Sequence, residues 1–451
     1  MRRRTIRPTY DMRRRTGADT SWFVFLIPLL LIAAIVVLLT KYPLSTDRQG
    51  GQAPGAAPQA SETSSAEQPE PAVATSSAEQ PQPTVTHPEV REWAPPIALQ
   101  YFRGNDVTPE FMAENLSWLT MQYGMEDERQ AVLERGYRGP LLQYMVTFQI
   151  LGPGPYKNER DRCENDYTPV PDNPMWTDDF CELVHSHESW FLHNGKGERL
   201  YSKETNWDGT DAYQYYMNPA SKGFRDFWVS QMKRQAGAKW QGFCLDNVPV
   251  EMDYLRTRAD NQDGTVKEFD SSKAFRKAVI GLIDQIRESF PGYPIWGNMI
   301  NAEYDDHEWD DYLPHLDGFQ EENFATGWDT TSAPKPDEWD RMLRRVEKAL
   351  ARGKSVVLFG QGAQDNGDQL YFSLASFLLI ATEDNRAAFR YTHIDDYKSL
   401  WWYPEYKTNL GLPKSKRYKQ GHLWLRDFQC ARVTVDPEAR IGSIQLRPCE
   451  P

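Results

Sequence analysis

The chain of 451 residues is poor in the residues that build metal and redox centres, with five cysteines and eight histidines. It has no C-x-x-C pair, which argues against a zinc ribbon and a thioredoxin-type site. His307-Glu308 is not followed by a second histidine at the H-E-x-x-H spacing of a zincin. His185 and His187 stand without a second ligand cluster and read as loop residues. The run from Ala259 to Asp270 contains the Asp-Gly of a calcium loop but has alanine at the first ligand position, so a polar turn is expected. G-x-S-x-G, G-x-G-x-x-G and Walker A motifs are missing, leaving lipase, dinucleotide and NTPase chemistry unsupported. No cofactor is therefore predicted. A basic stripe is missing too. The formal net charge is −13, and seven arginines against two aspartates between Met1 and Ser21 leave the remainder near −18. A body that acidic repels phosphate backbones, so nucleic acid is excluded as a partner. No motif points to a protein partner.

What is present begins with an apolar run, Trp22 to Leu39, free of charge and about as long as a bilayer-crossing helix. Pro28 is tolerable in a transmembrane helix. The arginines before the run, against Lys41 and Arg48 after it, predict a cytoplasmic basic tail over 1–21 and a body outside the membrane. Anionic lipid of the inner leaflet is the ordinary contact for such arginines. The rival is a cleavable signal peptide, but the run is longer than such a region and TKYPLS offers no A-x-A-like cleavage site. A single-pass signal anchor over 22–39 is the expectation. Residues 40–93 read as a disordered linker rich in Pro, Ser, Glu and Gln, with a tandem repeat at Thr63–Ala74 and Thr75–Thr86. It has too little apolar surface to offset the entropy of ordering, and its prolines favour an extended spacer.

Cysteine placement fits an oxidising compartment. Cys163 with Cys181, and Cys430 with Cys449, could each close a local loop and leave Cys244 alone; five free thiols is the alternative. From Pro95 apolar runs alternate with helical patterns. The candidate strands are Ile97–Phe102, Leu141–Thr147, Tyr213–Met217, Gly242–Asp246, Ile295–Asn298, Gly318–Glu322, Ser355–Gly360 and Ala387–Tyr391. Amphipathic helices are expected over Ser221–Ala236, Ser272–Ser289 and Asp337–Ala351, the last with Trp339, Leu343, Val346 and Leu350 on one face. Eight strands alternating with helices predict an α/β fold, a (β/α)8 TIM barrel over 94–423. The long Pro/Gly/Asp-rich stretch Gly152–Asp211 is expected to lie over its C-terminal face. Residues 424–451 read as a small β hairpin appendage, with strands Arg432–Val435 and Ser443–Leu446.

Two strand ends match each other, GFCLDN at Gly242–Asn247 and GFQEEN at Gly318–Asn323, so that Asp246 and Glu322 occupy the same slot. Both strands are even-numbered and both end where a parallel barrel builds its site. Two inward carboxyl groups across one pocket suit cleavage of a glycosidic bond, one protonating the leaving oxygen while the other attacks or activates water. Asp246-Asn247 could instead shape a turn. Glu321 competes with Glu322, because successive strand residues face opposite ways and only one can point inward. Trp296 and Asn298, between the acids, are expected to bind substrate, together with Asn218, Asn247, Asn323, Gln361 and Trp207. Tryptophans suit the apolar face of a pyranose, although many must be core.

These motifs, with ESWFLHNGKGERL at Glu188–Leu200 and YYMNPASKGFRDFWVSQMKR at Tyr215–Arg234, resemble the bacterial hypothetical glycosyl hydrolase family 15 over about Pro95 to Gln429. GFCLDN is also similar to the strand-four motif of endo-α-1,4-polygalactosaminidase-like enzymes. The resemblance implies a (β/α)8 barrel acting on carbohydrate, with Asp246 and Glu322 as catalytic pair. The expectation is an anchored glycoside hydrolase acting on an extracellular or cell-wall polysaccharide. A surface carbohydrate-binding protein without turnover and a transglycosidase are the alternatives.

Overall fold

The computed structural model describes residues 90–102, 104–152, 179–205, 211–236, 240–300, 306–328, 333–394 and 396–450. The expected basic tail, the apolar run and nearly all of the linker lie outside these residues, as do Cys163 and Trp207. Among the described residues no helix is long and apolar enough to cross a membrane.

In chain order the elements are β1 (Ala98–Tyr101), α1 (Pro109–Asn115), β2 (Trp118–Met121), α2 (Glu126–Glu134), β3 (Leu141–Val146), β4 (Gln149–Gly152), α3 (Asp179–Ser186), β5 (Tyr201–Thr205), β6 (Asp211–Tyr216) and α4 (Lys222–Ala236). They continue with β7 (Phe243–Pro249), α5 (Asp253–Arg258), α6 (Ser272–Ser289), β8 (Ile295–Ile300), α7 (Asp306–Tyr312), β9 (Gly318–Glu321), α8 (Pro336–Ala351), β10 (Ser355–Gln361), α9 (Gly367–Leu378) and β11 (Ala387–Thr392). Last come β12 (Tyr418–Gln420), β13 (Leu423–Asp427), β14 (Ala431–Asp436) and β15 (Ile441–Leu446).

Eight strands pair in parallel in the order β1-β2-β3-β7-β8-β9-β10-β11. A parallel bridge from Ile97 to Phe389, with the Phe389 N–H donating to Pro96 O at 2.8 Å, joins the last strand to the first. The result is the expected TIM-type barrel, with one strand reassigned. Tyr213–Met217 is not a barrel strand: β6 lies in a small antiparallel sheet, β4-β6-β5, that leaves the barrel directly after β3. The missing position is filled by β2. Its four residues, WLTM, are too short to show a period, whereas the longer Tyr-rich run alternates well. Period alone does not tell a parallel barrel strand from an antiparallel excursion.

Helices begin where the chain offers caps. Ser271 Oγ accepts the Ala274 N–H ahead of α6, and Ser221 Oγ accepts the Phe224 N–H ahead of α4. Helix α8 buries Trp339, Leu343, Val346 and Leu350, the face its spacing predicts.

The barrel interior follows the two-residue alternation of its strands. Ala98, Trp118, Leu142, Cys244, Trp296, Val357, Phe359 and Ala388 form one apolar cluster inside the ring. Two residues further along each of these strands, toward the C-terminal ends, the inward positions become polar: Gln100, Thr120, Tyr144, Asp246, Asn298, Gln361 and Arg390. Trp118 and Trp296 meet in the apolar layer with ring centroids 4.2 Å apart. Gly318 is required beside them, since a Cβ there would come within 2.4 Å of the Trp296 ring.

The hairpin expected at the C-terminus is half of a four-stranded antiparallel sheet, β12-β13-β14-β15. It docks on α9, where Gly442 passes so close to the Tyr371 carbonyl that a Cβ would lie 2.2 Å away. Arg426 Nη1 donates to Leu378 O and Ala381 O at 2.9 and 2.7 Å, satisfying carbonyls at the helix end. Cys430 and Cys449 form the expected disulfide and Cys244 is a free buried thiol. The Cys163–Cys181 pairing lies outside the described residues. The Cys430–Cys449 bridge closes a 19-residue separation, for which chain entropy alone contributes about 3 kcal/mol. Cys449→Ser is expected to lower the melting temperature under oxidising conditions, and reductant should lower the wild type to match it. A wild type indifferent to reductant would contradict this role.

Candidate active site

Asp246 sits on β7 at a break in the strand ladder. Leu245 pairs with Gly297 and Val248 with Met299, so Asp246 and Asn247 together oppose the single residue Asn298. This is a β-bulge, which bends the strand and re-aims its side chains. Asn247 takes the left-handed conformation, φ 54°, that asparagine tolerates better than most residues. Plain alternation through Asp246 would send Val248 inward; because Asp246 and Asn247 share one register position, Val248 instead joins the core between barrel and helices. Asn247 does not reach the acids, and its Nδ2 donates to Gln149 Oε1 at 3.2 Å.

Both oxygens of Asp246 accept hydrogen bonds. Asn298 Nδ2 donates to Oδ1 at 2.6 Å, and the Tyr144 hydroxyl donates to Oδ2. Burial and the Asp246 charge hold the Tyr144 hydroxyl well above the ordinary tyrosine range, so it remains a donor. Its backbone is pinned as well, since Asp246 O accepts from both the Thr147 N–H and hydroxyl.

Glu322 follows directly after β9. Desolvation, first, and the facing Asp246 charge push its carboxyl up to about 8; a hydrogen bond from Asn298 and the charges of Arg258 and Arg390 pull the other way. Glu322 therefore carries a proton at neutral pH beside a second carboxyl group. Its Oε1 accepts from Gln320 Nε2 at 3.2 Å, and Gln320 Oε1 accepts from Gln100 Nε2 at 3.0 Å. Gln361 Nε2 donates to the Glu322 backbone carbonyl at 2.6 Å and to the Tyr397 hydroxyl at 2.9 Å. Asp246, Tyr144, Glu322 and Tyr397 are half-buried, whereas Asn298, Gln320, Gln361 and Arg390 around them are buried. The groups open to a ligand thus include both candidate acids, flanked by buried polar side chains.

Glu321 faces the opposite way. Its two oxygens accept from Arg345 Nη2 at 3.0 Å each, on α8, in a pair almost wholly shielded from solvent. Strand alternation sends this glutamate out to the helix layer and the next one into the mouth.

Other expected site residues fall elsewhere. Trp296 is 3 % exposed and belongs to the apolar layer. The reason is that β8 runs on to Ile300, so Trp296 lies one layer below the mouth and not at the strand end. Asn218 lies in the turn after β6, where its Oδ1 accepts the Ala220 N–H at 3.0 Å and shapes the approach to α4. The strand that leads to it belongs to the antiparallel sheet and not to the barrel. Asn323 is buried next to Glu322 in the chain. Trp207 lies outside the described residues. His187 stacks on Trp190 with ring centroids 3.9 Å apart, and among the described residues no cluster suited to a metal is found. The Asp-Gly run is a polar turn, with Asp263 Oδ1 accepting from the Gly195 and Thr265 N–H groups.

The model of hypothetical glycosyl hydrolase family 15 matches residues 161–432, more than half of the chain and both acids. The chain belongs to that family. As a member of hypothetical glycosyl hydrolase family 15 it is a glycoside hydrolase, and carbohydrate is its substrate class. No curated protein matches it. Among solved structures it is similar to the glycoside hydrolase domain of PelA from Pseudomonas aeruginosa, at 12 % identity and TM-score 0.40, over 70 % of this chain and 98 % of that one. It is also similar to Eubacterium rectale Amy13B, at 12 % identity and TM-score 0.42, over 78 % and 88 %. A third is trehalose-6-phosphate hydrolase of Bacillus licheniformis, at 12 % and 0.40, over 67 % and 64 %. Likeness of this degree assigns no residues in the family 15 chain.

Four residues of the site escape the strand-end pattern. Gln320 and Gln100 are each the third residue of a short strand, and Arg390 is a charge inside AAFRYT. Tyr144 is masked by the ordinary look of a tyrosine in a strand. The two glutamates separate in a simple measurement. Glu321→Gln leaves Arg345 buried with a weakened partner, and Glu321→Ala should cost about 3–5 kcal/mol in denaturant unfolding. Glu322→Gln at the mouth should cost far less. Equal losses from Glu321→Ala and Glu322→Ala would overturn the division of roles.

Proposed function

We propose that this glycoside hydrolase works by double displacement, with Asp246 as nucleophile and Glu322 as general acid and then general base. The observation that carries the reading is the division of the pair: one carboxyl group with both oxygens held by donors, the other pushed up to about 8 by burial and its neighbour's charge. In the first step the Glu322 carboxylic acid gives its proton to the glycosidic oxygen as that bond breaks. The Asp246 carboxylate bonds to the anomeric carbon, forming a glycosyl ester. In the second step the Glu322 carboxylate takes a proton from water, whose oxygen bonds to the same carbon and releases Asp246.

Double displacement is the reading that the mutual influence of the two acids supports. The Asp246 charge bears on Glu322 strongly enough to raise it, and the Asn298 amide that donates to Asp246 Oδ1 bears on Glu322 as well. Carboxyl groups that face each other in this way suit the roughly 5–5.5 Å separation of retaining enzymes better than the wider gap in which an inverting enzyme places its water.

The reading extends to location. The apolar run at 22–39, the arginines before it and the Pro/Ser-rich stretch after it support a barrel tethered outside the cytoplasmic membrane, acting on an extracellular or cell-wall polysaccharide. In cells making the full-length chain, the protein is expected in the membrane fraction, with its C-terminal part open to protease added from outside. Recovery in the soluble cytoplasmic fraction would reject the tether.

The chemistry is tested by release of reducing ends from a panel of bacterial and plant polysaccharides, with the full-length chain in detergent. Asp246→Asn and Glu322→Gln should each lower kcat by at least about a hundredfold. Wild-type activity should fall as pH rises through about 8, where Glu322 loses the proton it must donate. Proton NMR of the first product should show the anomer of the substrate. The opposite anomer would reject double displacement, and full activity in either variant would reject the assignment of that acid.

A further inference from the structure

The inward position of β11 in the polar layer is held by Arg390, 1 % exposed. Its guanidinium carbon lies 5.4 Å from the Phe359 ring centroid and 5.6 Å from that of Tyr397. Nη2 donates to Tyr397 O at 2.9 Å and Ser399 O at 3.1 Å, while Nε and Nη1 meet no hydrogen-bond partner among the described residues. Arginine so fully desolvated is expensive to bury, and a well-packed apolar residue would fill the same space at lower cost. What this one holds is the segment after β11. Tyr397 reaches from that segment to Gln361, and Gln361 donates to the backbone carbonyl of Glu322.

We propose that Arg390 is a positioning residue for the acid: it clamps the Tyr397 segment that reaches Glu322 through Gln361 and sets one buried positive charge facing it. The proposal rests on Glu322 being the acid of the reaction. Burial pushes Arg390 down to about 10, so it stays charged through neutral pH. The other groups that face Glu322 are Asp246 and Cys244 on β7, Arg258 on α5, Tyr144 on β3 and Tyr397 itself. Of these, Tyr144, Tyr397 and Cys244 are pushed well above their ordinary ranges by burial and remain neutral. Arg390 and Arg258 are thus the charges that oppose Asp246, and Arg390 is the one locked inside the barrel.

The sign of the effect follows. Glu322 is raised in the fold, so the fold loses stability as pH climbs from the ordinary glutamate range to about 8. The melting-temperature difference between wild type and Glu322→Gln, followed over pH, therefore reads the protonation of Glu322 without any activity. Removing the Arg390 charge takes away a stabiliser of the ionised form, and the midpoint of that difference curve should move upward by about one pH unit. The curve is measured for the full-length chain with Arg390→Gln, which keeps a donor for the two carbonyls, and with Arg390→Lys, which keeps the charge. Arg390→Met replaces Arg390→Gln if the latter does not fold. An upward shift with Gln or Met and little shift with Lys supports the proposal. An unmoved midpoint in a folded charge-free variant overturns it, and so does an equal shift with Lys, which would make packing the cause. If the midpoint shifts as expected but no polysaccharide is cleaved by the wild type, the hydrolase mechanism fails and the positioning of Glu322 by Arg390 stands.

Discussion

Two carboxyl groups that face each other in a half-buried mouth cannot both be ionised cheaply, and the rest of the site is arranged around that repulsion. Coulomb energy between like charges grows as water is excluded, so the pair resolves into one proton donor and one acceptor. Which group takes the proton is decided by neighbours. Asp246 is surrounded by donors from Asn298 and Tyr144, while Glu322 rests on a buried layer of amides. The asymmetry is built on rigid strands, which hold a constellation more precisely than loops can. Asn298 stands opposite the bulge at Asp246 and Asn247, so the feature that bends β7 also faces Asp246 with the amide that donates to it.

The same strands show how neighbouring residues are given opposite tasks. Glu321 and Glu322 are identical in chemistry and adjacent in the chain, yet one is locked to Arg345 in the helix layer and the other faces the mouth. A one-residue change of register would exchange them. Gly318 guards against such a slip, because the Trp296 ring fills the place where any side chain at that position would go.

Much of the architecture can be read from the chain because it depends on local pattern. The face of α8 follows from spacing that one segment carries by itself, and the disulfide is one of the alternatives that the nearness of Cys430 and Cys449 in the chain left open. The barrel strands were harder, since β2 is too short to show a period and β6 shows one for a different sheet. Exchanging β6 for β2 leaves the count unchanged, so β7 and β9 are the fourth and sixth strands on either reading. Trp296 differs for a similar reason: the end of β8 lies two residues beyond the expected one, which places this residue in the core and not at the mouth. The amide chain from Gln100 through Gln320 is invisible in any single segment. It joins residues 220 positions apart, and only closure of the barrel brings them together.

Trp118 and Trp296 also settle how a carbohydrate can approach. Packed against each other with Leu142, Val357 and Phe359, they stop the bore of the barrel just below the acids. The candidate site is therefore a blind well and not a tunnel. A carbohydrate cannot pass through it from one end to the other, and must enter and leave at the rim. Which carbohydrates fit is then a property of the loops around the rim, which can change without disturbing the buried layer at the base.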